Sequence, residues 1–217
     1  MADIFQEVDE EVRREQLKKL WDRYGLYALI LAVLIVAAVG AWRFYQYRQS
    51  EQAALAGAQF EQAVALASQG KAKEAEAAFA KIAAEAPVGY RTLARLRRAD
   101  ALAGSDAKAA VAAYDEVAND GAVGQGLRDI ASLRAAMLLV DHAPLSELQK
   151  RLDPLTGPAK TFRHTAREVL ALSAWRNNDA AAARRYLDMI NNDPETPQGT
   201  RSRADVLSAL LAANGKG

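Results

Sequence analysis

Few residues of this chain have the types and spacing that catalysis or metal binding requires. The 217 residues include no cysteine and only two histidines. His164 and Glu168 are one helical turn apart and could pair on one helix face, but a metal site needs more ligands than these two. His142 stands before Pro144 at an expected helix end, where a histidine ordinarily interacts with the helix dipole. The histidines therefore predict neither a metal site nor a catalytic base.

The sequence also lacks the short motifs of phosphate binding and nucleophilic catalysis. The glycines at 124 and 126 have no third glycine and no following Lys-Ser or Lys-Thr, and Gly-x-Ser-x-Gly does not occur. Acidic residues alternate with Lys and Arg, which is typical of a solvated surface. We therefore expect no enzyme activity, no metal and no cofactor. Acids brought together from distant positions leave no motif, so an enzyme or regulator acting on peptidoglycan or proteolysis is the alternative of a different class.

The densest basic cluster is Arg91, Arg95, Arg97 and Arg98, and three of these arginines share a helix face. Arg91, Arg95 and Arg98 follow the i, i+4, i+7 spacing of one helix face. Such a face could receive acidic groups of a peptide, and it is the candidate peptide-binding site; the alternative is a solvated face beside Asp100 and Asp106. The whole chain carries 28 Lys and Arg against 27 Asp and Glu. This near-neutral balance argues against nucleic acid as a partner.

One long apolar run predicts a membrane span. Residues 24–42 contain no charge and are bounded by Arg23 and Arg43. As a helix they would be roughly 28 Å long, close to the ~30 Å hydrocarbon core of a bilayer. A cleaved signal peptide is the rival interpretation, because small residues stand at 39–41. The preceding segment is too long and too acidic for a signal peptide, so we predict a permanent transmembrane helix in contact with membrane lipid.

The flanks of this run are typical of a membrane span. Aromatic residues favour the headgroup layers, and Trp21, Tyr24, Trp42 and Tyr45 are the expected interface anchors. Five positive charges precede the run, at 13, 14, 18, 19 and 23, whereas two follow it closely, at 43 and 48. Because positive charge accumulates on the cytoplasmic side, residues 1–23 are predicted to be a cytoplasmic tail. The tail is either a solvated extension of the span or a docking site, and 43–217 form the domain beyond it.

Small and aromatic residues recur at fixed offsets after turn residues. The first copy runs from a turn at Gly70 to Pro87, the last from Asn177 to Pro194, and an intermediate copy begins at Ser105. A degenerate unit ending at 153–154 fits the remaining gap. Four-residue spacing places the small and aromatic residues on one stripe, where alanines let helices approach and aromatics fill the space between units. The predicted repeat-packing residues are Ala75, Phe79, Ala110, Tyr114, Ala182 and Tyr186.

The turn signals divide the rest of the chain into short helices. Ser105 and Asn178 are predicted to cap two of them, because serine and asparagine accept hydrogen bonds from helix amides. The predicted helices cover 51–69, 71–86, 89–103, 106–119, 125–141, 146–153, 161–177, 179–191 and 199–213.

This spacing resembles the tetratricopeptide repeat, whose period is about 34 residues. The match is good in the first and last copies and weak at 125–153, and the leading Trp and Leu-Gly positions of the repeat are not met. The resemblance implies an all-α fold, in which a single transmembrane helix is followed by a divergent tetratricopeptide-like solenoid of helical hairpins. Each hairpin hides its apolar stripe against its neighbours. In such arrays the first helices line the concave surface, which would place the three arginines there.

The layout as a whole resembles the ancillary subunit of the bacterial SecYEG translocon, the YfgM-like family. The opening at 3–11, followed by Leu20-Trp21 and Tyr24-Gly25, is similar to alpha-proteobacterial members. The resemblance implies an inner-membrane protein with a periplasmic domain that joins the SecYEG translocon and a membrane-anchored PpiD-like chaperone. It would help exported polypeptides reach folding factors, and it implies no catalytic residues. A scaffold for envelope assembly or cell division is the alternative binding function.

Overall fold

The computed structural model describes residues 3–214, with side chains from position 14 onward except at 15–17, 20, 28 and 214. Every regular element within this range is helical, so the predicted all-α class is confirmed. A short 3-10 helix, Asp153–Leu155, follows the sixth helix. The α-helices are α1 Asp3–Ser68, α2 Ala72–Glu85, α3 Val88–Ala103, α4 Ala107–Ala118, α5 Gln125–Leu139, α6 Leu145–Leu152, α7 Arg163–Arg176, α8 Ala180–Asn191 and α9 Gln198–Asn214.

The predicted helices from 71 to 213 lie within two residues of α2 to α9. Prolines fix several of the starts: Pro87, Pro144 and Pro197 directly precede α3, α6 and α9. Proline has a backbone angle suited to a helix start and disfavours helix in the residue before it. The segments predicted as helices at 24–42 and 51–69 are helical to residue 68, but both belong to the continuous α1, and the helix between them was not predicted. Residues 43–50 contain neither glycine nor proline to interrupt a helix.

The first of two compact units comprises residues 1–54. Within it, the part of α1 over 24–42 exposes its large apolar side chains, from Leu26 to Val39. Of the described residues, only this helix is long and apolar enough to cross a membrane. A helix that is apolar on every side and buries none of that surface in the protein has the composition of a span surrounded by lipid.

The second unit comprises residues 55–217 and is a row of helical hairpins. The end of α1 pairs with α2, α3 with α4, α5 with α6, and α7 with α8. We use the term first helix for the earlier member of each hairpin and second helix for the later one. The last helix, α9, follows α8 in the position of a first helix.

The apolar core of this unit is divided into three clusters along the row. Phe79 of α2 lies in a cluster with the end of α1 and with α3, and its ring meets Phe60 edge-on at a centroid distance of 5.5 Å. Tyr114 of α4 lies in a second cluster, with α3 and α5. The largest cluster surrounds Leu170 and Tyr186 and draws on α5 to α9. Each cluster therefore joins one hairpin to the next.

Two of the hairpin turns each contain a residue with a left-handed backbone angle. Gly70 has φ +76° and Asn178 has φ +58°. The predicted caps Ser105 and Asn178 were each wrong by one residue. Asp106 and Asp179 cap α4 and α8, and each accepts a hydrogen bond of 2.9 Å from the amide three residues later. Asn178 is instead the left-handed residue that ends the preceding helix, a position that glycine and asparagine favour.

Candidate interaction surface

The residues expected to pack between repeats lie in the apolar clusters of the second unit. Five of them are buried: Ala75, Phe79, Ala110, Tyr114 and Tyr186. Ala182 packs against the same cluster as Tyr186 from a partly exposed position, and its neighbour Ala183 is the fully enclosed small residue. Counted from the helix cap, the enclosed alanine is the fourth residue in each of these second helices. The last copy is one residue out of step with the sequence interpretation, because its turn is at Asn178 rather than Asn177.

The three arginines of the candidate peptide-binding face are all bound within the chain. Arg95 Nη1 lies 2.6 Å from Asp120 Oδ2, and Arg98 Nε lies 2.7 Å from Glu76 Oε1. Arg91 donates through Nε and Nη2 to the carbonyl of Ala86, the residue that follows α2. A peptide that bound this face through acidic groups would therefore have to displace a carboxylate from two of the three guanidinium groups.

A different side of α3 joins the first helices of two hairpins. Asp100 accepts hydrogen bonds from the hydroxyl of Tyr114 and from the guanidinium of Arg134 on α5. Arg97 Nη1 lies 3.5 Å from the other oxygen of Asp100. Burial and the hydrogen bond to Asp100 raise the pKa of Tyr114 to about 12. This polar cluster was not found from the sequence, because Arg134 is 34 residues from Asp100.

The same positions recur on all of the later first helices. Counted from the start of each helix, the sixth, tenth and thirteenth residues lie on one side, because a helix advances about 100° per residue. None of the twelve residues at these positions is buried. We call them the first-helix face: Leu93, Arg97, Asp100, Ile130, Arg134, Met137, Glu168, Leu172, Trp175, Arg203, Leu207 and Leu210.

The first-helix face carries two charged residues and one apolar residue at α3, and one charged residue and two apolar residues at each of α5, α7 and α9. A cavity of about 230 Å³ opens between α7, α8 and α9. Its two charged lining residues bind each other, with Arg203 Nη2 2.8 Å from Glu168 Oε2. The other lining residues are Ala171, Leu172, Trp175, Leu187, Ile190, Ala204, Val206, Leu207 and Leu210.

In the described part of the second unit, the large apolar side chains that are exposed lie on α1 and the later first helices. Within the described part of that unit, α2, α4, α6 and α8 expose no large apolar side chain. This distribution leaves the second helices to the core and gives the first helices the surface on which an apolar ligand could bind. The exposed side chains are Leu55, Val88, Leu93, Met137, Leu172, Val206 and Leu210.

His164 lies in a polar network with the segment before α9. Its Nδ1 lies 3.2 Å from Thr196 Oγ1 and 3.8 Å from Asp193 Oδ2. Burial and the neighbouring Arg163 lower the pKa of His164. Glu168, which the sequence could pair with it, binds the guanidinium in the cavity instead. Among the side chains that the structure describes, no group of three or more His, Asp or Glu could hold a metal ion.

The expected interface anchors lie on α1 in the first unit. Trp21 and Tyr24 stand at the start of the uncharged segment, and Trp42 and Tyr45 at its end. More than half of each side chain is exposed. At these positions the rings would have the spacing of the two headgroup layers, because about 27 Å of helix separates Tyr24 from Trp42.

A row of hairpins whose first helices share one exposed face defines the class of helical-repeat proteins, which bind partners on extended surfaces. The chain belongs to the tetratricopeptide repeat-like domain family, whose sequence model matches residues 18–184. Domains of this family are typically protein-interaction modules without catalytic activity. No curated protein and no solved structure matches the chain significantly. The matched segment ends within α8, so α9 lies beyond it.

Proposed function

We propose that the protein is a single-pass inner-membrane protein whose repeat domain faces the periplasm and works as an ancillary subunit of the SecYEG translocon. In this role it links exported polypeptides to a PpiD-like periplasmic chaperone. One observation carries the proposal: a helix with an exposed, uncharged segment long enough to span a bilayer leads into a tetratricopeptide repeat-like interaction domain.

The charges around the segment support the orientation. Five positive residues precede it and two follow it closely, which favours a cytoplasmic amino terminus. The YfgM-like layout of a short tail, a span and a divergent repeat domain supports the choice of partners.

The mechanism is tethering. A span beside the export channel would raise the effective concentration of the repeat domain where polypeptides emerge. The first-helix face then supplies contacts of two kinds: polar groups at Arg97 and Arg134, and apolar side chains at Leu172 and Leu210. Unfolded polypeptides expose both kinds of group. No covalent chemistry is required of the protein in this role.

Topology is tested first. Because the chain has no cysteine, single-cysteine variants Lys73→Cys and Ala2→Cys can be labelled in spheroplasts with a membrane-impermeant maleimide. We expect labelling at 73 without lysis and labelling at 2 only after lysis. The reverse pattern, or an intact chain that fractionates as a soluble protein, would contradict the orientation or the anchor.

Partners are tested separately. A photo-crosslinking residue in place of Leu172 or Met137 in native membranes should recover SecYEG subunits, the PpiD-like chaperone or exported chains. A matched substitution of Lys73, on α2, should not. Recovery of cell-division or envelope-assembly proteins alone would support the scaffold function instead.

A further inference from the structure

The first helices can be compared residue by residue, because they align from their first residues. Their seventh residues are buried in every case: Ala94, Ala131, Val169 and Ala204. Ala94 lies in one cluster with Phe79, and Ala131 lies in one cluster with Tyr114. Since Phe79 and Tyr114 belong to the preceding hairpins, the seventh position packs backward along the row. In this respect α9 is an ordinary first helix.

The ninth and twelfth residues pack forward, against the second helix of their own hairpin. Leu96 and Ala99 lie in one cluster with Val117 of α4. The corresponding residues of the next two first helices are also buried: Leu133, Ala136, Ala171 and Ala174. In α9 these positions are Val206 and Ala209, and both are exposed, Val206 by 63%.

The outer face of α9 reproduces the forward face of α3 over its whole length. The fifth, ninth, twelfth and sixteenth residues of α3 are Thr92, Leu96, Ala99 and Ala103. The same positions of α9 are Ser202, Val206, Ala209 and Ala213. Terminal helices of repeat arrays ordinarily carry a polar outer face. This uncharged stripe is instead exposed, and no second helix among the described residues packs against it.

The second helices show what such a face accommodates. On α4 the enclosed residues are Ala110, Tyr114 and Val117, and the residues at the same spacing on α8 are Ala183, Leu187 and Ile190. Both helices are amphipathic, and Tyr114 of α4 lies in one cluster with Leu96 and Ala99 of its first helix. On the pattern of α4, the ligand of the outer face of α9 is an amphipathic helix with a small residue, an aromatic and an aliphatic residue on one stripe.

The charges on α9 differ from those on α3 and define the ligand further. Arg95, the eighth residue of α3, binds Asp120 and the carbonyl of Glu116 at the carboxyl end of its second helix. The eighth residue of α9 is Asp205, which is exposed and forms no ion pair with any described residue. A helix that docks on α9 in the same way would bring its carboxyl end to Asp205. That end should carry Lys or Arg, which helix dipoles also favour there.

We propose that the outer face of α9 binds an amphipathic helix of a partner protein, with an aromatic residue over Val206 and Ala209 and a basic residue opposite Asp205. A second copy of this chain fits less well. Two α9 faces would meet without an aromatic side chain to fill the space between them and without a basic partner for Asp205. The inference rests on repeat packing and is independent of the membrane topology proposed above.

The test uses two synthetic peptides and the purified full chain in detergent micelles. One peptide has the sequence of residues 106–120, and the other carries Asp120→Arg. Fluorescence anisotropy should show that the Asp120→Arg peptide binds more tightly, by ~3-fold or more, because it exchanges repulsion from Asp205 for attraction. The variant Val206→Asp should weaken its binding by ~10-fold or more, because the new carboxylate would be buried without a partner.

The matched control is Val88→Asp, which makes the same change at a side chain that is 69% exposed on another helix. It should leave binding unchanged, and thermal melts should show both variants folded, since neither side chain is in the core. Equal binding to Val206→Asp and the original chain, or preference for the unmodified peptide, would overturn the proposal. The proposal would also be overturned if sedimentation equilibrium showed a dimer of the original chain and a monomer of Val206→Asp. The occupant of the outer face of α9 would then be a second copy of the chain. None of these outcomes bears on the labelling of spheroplasts.

Discussion

Asp193 is the residue on which the connection between α7 and the loop before α9 depends. Its Oδ2 lies 2.8 Å from Arg163 Nε and 2.8 Å from Arg167 Nη1, and its Oδ1 accepts the amide of Glu195. Arg167 is buried, so its charge needs this carboxylate. The two guanidinium groups hold the pKa of Asp193 well below its usual range.

The variant Asp193→Asn should reveal this contribution in the acid dependence of stability. A depressed pKa stabilises the folded state above the usual value near 4, and the stabilisation is lost as pH falls through the folded-state value. We expect the substitution to lower the free energy of unfolding at pH 7 and to flatten its decline below pH ~4. Urea unfolding at several pH values measures both effects. Asp188→Asn, at an exposed position, is the control, and identical acid profiles for Asp193→Asn and the original chain would contradict the role.

Tyr114 makes stability depend on pH in the alkaline range, where stability falls as pH rises, whereas Asp193 makes it fall as pH is lowered. Its pKa is raised from 10.0 to about 12, so the folded state keeps the proton longer than the unfolded state. This contribution is complete below pH 10 and is lost as pH rises towards 12. Tyr114→Phe should lower the free energy of unfolding by about 1 kcal/mol at pH 7, because a hydrogen bond is lost. Above pH 10 the free energy of unfolding of this variant should decline less steeply than that of the original chain. Unfolding curves from pH 8 to 12 test this, and parallel curves would contradict it.

The sequence predicted the helix that carries Arg91, Arg95 and Arg98, but it could not predict the partners of these arginines. Asp120 is 25 residues from Arg95, and Glu76 is 22 residues from Arg98. Contacts at such separations are set by how hairpins stack, which local spacing does not encode. Peptide binding by the three arginines stays a prediction. The first-helix face is the more accessible candidate, because the arginines are already bound within the chain.

At the scale of helices and turns, proline and glycine determine most of the boundaries. These residues act locally, so the starts of α3, α6 and α9 follow from the sequence. The continuity of α1 was missed because an uncharged run suggests a separate element, although a helix ends only where a residue or a contact interrupts it. The prediction of Ala182 as the packing residue, where the structure encloses Ala183, was wrong by one residue for a similar reason. Two consecutive asparagines occupy the turn, and only the backbone angle shows that Asn178 is the left-handed one.

The two left-handed turn residues make a matched prediction. Gly70→Ala and Asn178→Ala should each lower the free energy of unfolding by about 1 kcal/mol, because a β-carbon is disfavoured at positive φ. Asn178→Gly should be close to neutral, since both residues tolerate this conformation. Gly89→Ala, at a helical glycine with open space around it, should cause no loss. Chemical unfolding of the four variants would decide, and equal losses at 70 and 89 would refute the interpretation.

At the scale of the whole molecule, the proposed membrane anchor rests on the exposed uncharged segment at 24–42. The double variant Val33→Arg/Val36→Arg places two charges near the middle of that segment, at a cost of about 6 kcal/mol for insertion. We expect much of this variant to leave the membrane fraction on carbonate extraction. Leu55→Arg/Val88→Arg changes two exposed apolar residues of the second unit and should stay in the membrane. Equal retention of both variants would argue against a span at 24–42.

The division of the repeat core into three clusters has consequences for how the domain opens and how it could have diverged. Hairpins that contact only their neighbours can exchange amide hydrogens in separate steps. The amides of α9 should exchange early and those beside Leu170 late, within the largest cluster. Because no cluster spans the whole row, duplication or deletion of about 35 codons would change the number of hairpins while leaving the remaining interior intact.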